Sequence, residues 1–334
     1  MYSYQEFCKK TVEWMEEFGE EWFGKGDYEI ELAYKTNCVR TGLRCSVEKN
    51  PTRAAPRIYL ENFYNSYLES KDFLGVMGQV KECLEQALES TDTIEQSVYY
   101  AKPSKDNIVF ELMHSEKNHE FLKGLPHRQF LNLSIVYRWD FIVDGTERAS
   151  SIINKDIAKS FGLDEEELYQ LAYKNTRERW EPIVVSMNKY VDKYKETGCH
   201  PELSEFKEDW YSDESRMYVI TNVDIYKGAI NILYPDLLQR IVDKHGCDLY
   251  LIPSSVHEMI AVPVELGNID SIQECIREVN KTLDIEDVLS NDVYKYDVQK
   301  QRIVQVTDTN QEMLILPEFE PEIGLETERE MEMW

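Results

Sequence analysis

The segment from Tyr250 to Pro263 places two hydroxyls, an imidazole and a carboxylate between two apolar runs. Its sequence is Tyr-Leu-Ile-Pro-Ser-Ser-Val-His-Glu-Met-Ile-Ala-Val-Pro. In an extended chain, residues two apart share a face, so Ser255 and His257 are expected side by side. A hydroxyl and an imidazole within ~3 Å can act as nucleophile and general base. Ser255 and His257 are therefore the candidate catalytic residues of this chain.

A structural interpretation of the same segment competes with catalysis and is favoured over it. Pro-Ser-Ser is typical of a turn whose hydroxyls bond to the backbone. His257 and Glu258 would then belong to a polar network that sets the strand register. A serine and a histidine this close in sequence do not match the known serine hydrolases, and no glycine-flanked nucleophile turn is present. A ligand- or partner-binding role is less favoured than the structural interpretation but more favoured than catalysis. Ser254 and Glu258 are its candidate binding residues.

Two further polar residues, Thr221 and Asn222, follow a predicted strand and are candidate binding residues as well. If the strands pair as expected, they lie near the Pro-Ser-Ser turn and form a small polar pocket. The alternative is a turn closed by the asparagine side chain. Gly228-Ala229 indicates close backbone packing, because no glycine pattern of a phosphate loop accompanies it.

The arrangement of the other histidines and of the cysteines predicts no metal site, no cofactor and no disulfide. His114, His119 and His127 cross a predicted strand-to-helix junction without a known carboxylate-histidine motif. The seven cysteines are scattered, odd in number and without a C-x-x-C pair. Such cysteines are typical of a reducing compartment.

The charge of the chain limits the classes of partner. There are 63 Asp and Glu against 37 Lys and Arg, a formal net charge of -26. Phosphate backbones and anionic lipids are repelled by such a surface, so direct nucleic-acid binding and membrane binding are not expected. The first residues carry no secretory signal, and no window reaches the ~18 apolar residues of a membrane span. We therefore expect a cytoplasmic protein.

The first half of the chain mixes helical and strand patterns. Ser3 and Glu6 form a capping-box pattern ahead of a helix that ends near Gly24, and residues 27–47 predict a pair of strands. Residues 56–64 begin as a predicted strand and lead into helical sequence that continues to about residue 88, whereas polar residues 90–106 predict a linker. Further on, Ile108–Met113 predicts a buried strand, residues 115–124 a short helix, residues 130–143 more strands, and Asp164 caps a central helix.

The last third shows the most regular pattern. Strands are predicted at residues 217–221, 228–233, 249–252 and 256–262, with helices between them and after them, the last capped by Ser271 and Glu274. This ββαββα order predicts an α+β fold with antiparallel sheets and helices packed on one face, in two or more modules. The predicted parts are an N-terminal module at 1–102, a strand-helix segment at 103–195, a C-terminal module at 196–307 and an acidic disordered tail at 308–334.

Three blocks carry a resemblance to a known family. They are Asp164-Glu-Glu-Glu-Leu-Tyr-Gln-Leu-Ala-Tyr-Lys-Asn-Thr176, then Met217-Tyr-Val-Ile-Thr-Asn222 with Gly228-Ala229, and Asp248-Leu-Tyr-Leu-Ile-Pro-Ser-Ser-Val-His-Glu258. Over about residues 25–300 the chain resembles an uncharacterised family of clostridial and other Firmicutes proteins, a domain of unknown function, and the Pro-Ser-Ser-x-His-Glu block is its most specific part. The resemblance implies a bacterial protein and supplies no catalytic residue.

These observations lead to three functional hypotheses. The first is a non-enzymatic protein-binding or regulatory module whose acidic surface recognises a protein with a basic surface. The second is a small-molecule hydrolase that uses Ser255 and His257 near Thr221 and Asn222. The third is an acidic decoy that occupies a nucleic-acid-binding protein.

Overall fold

The computed structural model describes residues 1–35, 37–47, 55–100, 104–143, 147–197, 203 and 215–306. Contacts between residues divide the chain into two compact units. Unit 1 contains Met1–Arg128, Ser134–Glu181 and Leu283–Leu289, and unit 2 contains Gln129–Leu133, Pro182–Thr282 and the chain from Ser290 onward. The predicted boundary at 102/103 and the predicted tail at 308–334 lie outside the described residues, and the predicted boundary at 195/196 lies within the helix Met187–Thr197. The predicted division into modules therefore stays a prediction.

Unit 1 begins with a helix on a small sheet, as the sequence predicts. Ser3 and Glu6 form the capping box, and Gly24, with a φ of 78°, follows the last turn of the helix. The sheet has the order β1-β2-β3, with antiparallel pairing throughout. The elements are α1 (Tyr4–Phe23), β1 (Gly26–Lys35), β2 (Cys38–Val47), β3 (Arg57–Tyr59), α2 (Leu60–Ser70) and α3 (Phe73–Tyr100).

The prediction of a linker over residues 90–106 is wrong for its first part, because α3 continues to Tyr100. Residues 90–100 are polar but contain neither glycine nor proline, so nothing in them interrupts helical hydrogen bonding. Polarity alone therefore did not distinguish a helix from a connection. The core beneath α1–α3 contains Phe7, Met15, Leu43 and Leu84, all fully buried.

Further along the chain, a second sheet packs against a helix. The sheet has the order β4-β6-β5, with β7 also paired to β6. The helix α6 lies on β4, where Thr176 Oγ1 accepts a hydrogen bond from the Phe110 backbone N–H at 3.1 Å. The capping box predicted at Asp164 and Glu167 is confirmed at its start. The elements are β4 (Ile108–His114), α4 (His119–Leu122), β5 (His127–Phe130), β6 (Leu133–Val143), β7 (Glu147–Ile152), α5 (Lys155–Phe161) and α6 (Glu165–Arg179).

Unit 2 is built on a six-stranded antiparallel sheet in the order β13-β12-β10-β11-β9-β8. Three of its strands, β8, β12 and β13, were not predicted. Ile276 of the last helix packs into a buried cluster with Ile252 and Val262 of the central strands. The elements are β8 (Pro182–Ser186), α7 (Met187–Thr197), β9 (Tyr218–Asn222), α8 (Pro235–His245), β10 (Leu249–Pro253), β11 (Met259–Pro263), α9 (Ile269–Asn280), β12 (Val293–Asp297) and β13 (Arg302–Val306).

Two predictions for unit 2 are wrong. Gly228–Leu233 is a 3-10 helix, not a strand, and all six of its residues are buried, a pattern that a short apolar run shares with a buried strand. The last helix begins at Ile269 because the Asn268 side chain accepts from the Ser271 backbone N–H, so Ser271 lies inside the first turn. Asparagine and serine are equally good N-caps, and sequence spacing did not separate them.

The predicted α+β class with antiparallel sheets is confirmed. In the described residues, none of the helices combines the length and the apolar character needed to cross a bilayer.

Candidate functional site

In unit 2 the structure brings the predicted site residues together where β9 and β11 pair. Met259 lies opposite Ile220 in the register of these strands, and the Thr221 hydroxyl donates to the His257 backbone O at 2.8 Å. The Ala229 N–H donates to the Val256 carbonyl at 3.3 Å. We call this cluster the polar junction. It consists of Thr221, Asn222, Ser254, Ser255, His257 and Glu258.

The hydrogen bonds of the β10–β11 connection are those of a closed turn. Ser255 Oγ accepts from the His257 backbone N–H at 3.0 Å, and the Ser255 N–H donates to the Glu258 carbonyl at 3.3 Å. The Ser254 hydroxyl donates to Glu258 Oε1 at 2.9 Å. Ser255 Oγ is thus a hydrogen-bond acceptor within the turn, and the residue is only 8% exposed.

The His257 imidazole lies on the neighbouring loop. Its Nδ1 accepts a hydrogen bond from the Lys227 backbone N–H at 3.2 Å, so this nitrogen carries no proton in the bonded state. The Tyr226 ring lies 6.2 Å from the imidazole, centroid to centroid. Ser255 and His257 are therefore neighbours, but the hydroxyl does not donate to Nδ1 as a nucleophile paired with a general base would.

Asn222 holds the loop that follows β9. Its side chain is fully buried, with Oδ1 accepting from the backbone N–H groups of Asp224 at 3.2 Å and Tyr226 at 3.1 Å. Its Nδ2 donates to the Tyr226 carbonyl at 2.7 Å. Within this loop, Ile225 has a φ of 49°, a left-handed conformation that is unfavourable for a β-branched residue. The asparagine side chain thus stabilises a strained connection, the turn alternative considered from the sequence.

Gly228 allows the loop to approach the β10–β11 turn. A Cβ built at this position would lie 2.4 Å from Thr221 Oγ1 and 2.5 Å from the His257 backbone O. No side chain fits at these distances without a shift of the backbone. The inference of close backbone packing at Gly228 is therefore supported by the geometry.

A group of buried ion pairs in unit 1 was missed by sequence reasoning. Glu111 on β4 pairs with Arg138 at 3.0 Å, and Asp140 on β6 lies 2.7 Å from Arg179 of α6. Both carboxylates are only 1% exposed. A glutamate inside the otherwise apolar Ile108–Met113 run was the available signal. Each buried carboxylate faces an arginine: the Glu111–Arg138 pair joins β4 to β6, and the Asp140–Arg179 pair joins the sheet to α6.

No metal centre is indicated by these side chains. Among the described ranges, no three His, Cys, Asp or Glu side chains are grouped so that they could hold a metal ion.

A groove in unit 1 was also missed. It lies between α1 and the β1–β2 hairpin and has a volume of about 680 Å³, within the range of protein ligand pockets. Burial raises the pKa of the Cys8 thiol, so this side chain behaves as a small apolar group. The lining is apolar at Tyr4, Cys8, Val12 and Ile30 and polar at Gln5, Lys9, Glu13, Glu16 and Thr41. We call it the α1–β1 groove.

Beside the groove, apolar side chains of the hairpin are exposed on one sheet face. Ile30, Leu32, Tyr34 and Val39 are 38%, 62%, 43% and 46% exposed, and we call them the exposed strip. Leu32 lies opposite Thr41 of the groove lining, and Tyr34 lies opposite Val39. The Tyr34 ring stacks on Phe121, with centroids 5.7 Å apart. The sequence predicted strands here, but alternation alone did not show that these apolar side chains stay partly exposed.

Carboxylates surround the groove along α1. Glu13 lies 2.7 Å from Lys10, and Glu16, which lines the groove, makes no ion pair with another described residue. Glu17, Glu20 and Glu21 continue the exposed acidic face towards the end of the helix. In the groove lining itself, Glu13 and Glu16 outnumber Lys9, so the groove favours cations.

Comparisons with known proteins give one match. The model of a family of unknown function, DUF5688, matches residues 4–298. No curated protein and no solved structure matches the chain. The match covers α1, the groove and the polar junction, and it begins earlier than residue 25, where the resemblance seen in the sequence began. Because the match covers most of its length, the chain belongs to the DUF5688 family of unknown function.

Proposed function

We propose that this protein is a non-enzymatic protein-binding or regulatory module of the bacterial cytoplasm, and that the exposed strip with the α1–β1 groove binds its partner. The observation that carries the proposal is the exposure of four large apolar side chains beside a groove of mixed apolar and acidic lining. Contiguous exposed apolar surface with a polar rim is typical of interaction sites.

The charge of the surface defines the partner. Glu13 and Glu16 outnumber Lys9 in the groove lining, and the chain as a whole carries a formal charge of -26. A partner segment with apolar residues flanked by lysine or arginine is complementary to both features. Exposed charge pairs are screened by salt, so the affinity is expected to fall as ionic strength rises.

The polar junction supports this proposal more than the hydrolase alternative. Ser255 Oγ accepts from the His257 backbone, and His257 Nδ1 accepts from the Lys227 backbone. Both groups are therefore used to close a turn and a loop. The cytoplasmic location in this proposal rests on the scattered, odd-numbered cysteines of the sequence. The decoy alternative makes a different prediction, namely that the chain competes with DNA for binding to the partner.

The test is a selection from a random peptide library displayed on phage, carried out on the full chain. Enriched peptides are then measured against Leu32→Glu and against a matched control, Leu74→Glu. Both side chains are largely exposed, at 62% and 69%, so neither substitution removes core packing. We expect enriched peptides to combine apolar and basic residues, to bind wild type and Leu74→Glu alike, and to lose at least about tenfold in affinity for Leu32→Glu.

Two results would refute the proposed surface. One is a set of peptides that binds Leu32→Glu as tightly as wild type. The other is enrichment of acidic peptides in place of basic ones.

A further inference from the structure

We propose that the partner segment binds as an added β-strand along the outer edge of β1, with apolar and basic residues alternating along it. This inference rests on the proposed function and states how the partner is bound. Strand addition to an exposed sheet edge is a known mode of peptide recognition, in which backbone hydrogen bonds supply affinity and alternate side chains supply specificity.

The edge itself is long and regular. β1 is the outer strand of the order β1-β2-β3 and pairs with β2 without interruption from Gly26↔Val47 to Lys35↔Cys38. The edge contains no proline and no bulge, two devices that proteins use to protect sheet edges. Near its beginning, the Tyr28 ring packs on Gly19 of α1, and near its end the Tyr34 ring stacks on Phe121, with centroids 5.7 Å apart.

The hairpin register shows which backbone groups point outward. Two residues connect Lys35 to Cys38, and in such a hairpin the closing pair is hydrogen-bonded. Antiparallel pairs then alternate, so Ala33, Glu31 and Glu29 bond to β2. The backbone groups of Tyr34, Leu32 and Ile30 consequently point away from β2.

These outward groups belong to residues of the exposed strip. No backbone or side-chain hydrogen bond to them is formed by any other residue in the described part of the chain. The same three residues thus offer both free backbone groups and exposed apolar side chains. A partner strand of about five residues would pair with all three.

The two faces of β1 define the alternation in the partner. On one face, apolar partner residues would lie beside Ile30, Leu32 and Tyr34, next to the α1–β1 groove. On the other face, Glu29 and Glu31 are 65% and 33% exposed. Glu29 pairs with Arg44 of β2, and Glu31 pairs with Arg57 of β3. Each carboxylate has further lone pairs that can accept hydrogen bonds from a lysine or arginine of the partner.

The probe is a synthetic peptide that alternates lysine and valine, labelled for fluorescence anisotropy with the full chain. A block peptide of the same composition, with all lysines before all valines, is the control for charge. Two further versions carry backbone N-methyl groups on every valine or on every lysine. In an extended peptide these two sets of N–H groups point to opposite edges, so only one set can face β1.

We expect the alternating peptide to bind more tightly than the block peptide. One N-methyl version should lose roughly a hundredfold in affinity, since about three backbone hydrogen bonds are removed, and the other should bind like the parent. Loss of binding by the peptide N-methylated on its valines indicates antiparallel addition. Loss of binding by the peptide N-methylated on its lysines indicates parallel addition.

The outcomes separate this inference from the proposed function. If both N-methyl versions lose binding equally, or neither does, while Leu32→Glu still weakens the parent peptide, strand addition is wrong and the docking surface stands. If the parent peptide binds Leu32→Glu and wild type alike, the docking surface is wrong as well.

Discussion

Removal of the Asn222 side chain is expected to weaken unit 2 more than any other single hydrogen-bonding change at the polar junction. Asn222 is fully buried and makes three hydrogen bonds to the backbone of the next four residues. Asn222→Ala leaves two N–H groups and one carbonyl without their partner. It also releases a loop in which Ile225 has a φ of 49°.

The magnitude follows from these bonds. Each contributes about 1 kcal/mol net, so three give about 3 kcal/mol. Relief of the backbone strain at Ile225, which costs about 1–2 kcal/mol in the left-handed region, offsets part of this loss. We therefore expect Asn222→Ala to lower the free energy of unfolding by about 2 kcal/mol.

The matched control is Thr221→Val at the preceding position. Thr221 is equally buried and makes one side-chain hydrogen bond, from Oγ1 to the His257 carbonyl at 2.8 Å. With nearly the same volume and no strained loop to release, this change is expected to cost about 1 kcal/mol. The two variants differ in the number of bonds removed, not in burial.

Hydrogen exchange in a urea series, followed by mass spectrometry, is the assay, because peptides from β9 and β11 report unit 2 separately from unit 1. The Asn222→Ala variant should also show faster exchange at Asp224 and Tyr226, whose N–H groups lose their acceptor. A cost for Thr221→Val that equals or exceeds that for Asn222→Ala, or unchanged exchange at Asp224 and Tyr226, would refute the reasoning.

Two further predictions concern the same unit. Gly228→Ala is expected to lower the free energy of unfolding by about 1–3 kcal/mol, because the new Cβ would lie 2.5 Å from the His257 backbone O. The control is Gly78→Ala, whose Cβ would have nothing within 4 Å. Equal stability of the two variants in urea unfolding would contradict the packing argument. The hydrogen bond from Lys295 and that from the Val298 N–H hold the pKa of Asp248 below its usual 3.8. Asp248 therefore contributes stability above that pH and loses it as the pH falls through its lowered native pKa. Asp248→Asn should cost up to about 1 kcal/mol at neutral pH, and its difference from wild type in urea unfolding should vanish in acid. A difference that persists unchanged in acid would contradict this assignment.

Local chemistry accounts for the elements that the sequence predicted. The capping boxes at Ser3 and Asp164, the glycine after α1 and the β1–β2 hairpin depend on neighbours within a few residues. The 3-10 helix at Gly228–Leu233 was not predictable in this way. A short run that is buried on every side carries no period that separates strand from helix.

The amino-acid sequence by itself determined the α+β class, the acidic surface and the clustering of polar residues near the Pro-Ser-Ser turn. Composition and local periodicity are sufficient for these features. Only the tertiary structure decided that Ser255 Oγ accepts a hydrogen bond from the turn backbone and that Ile30, Leu32 and Tyr34 remain exposed. Burial of a strand face depends on which element packs over it, and that contact joins residues far apart in the chain.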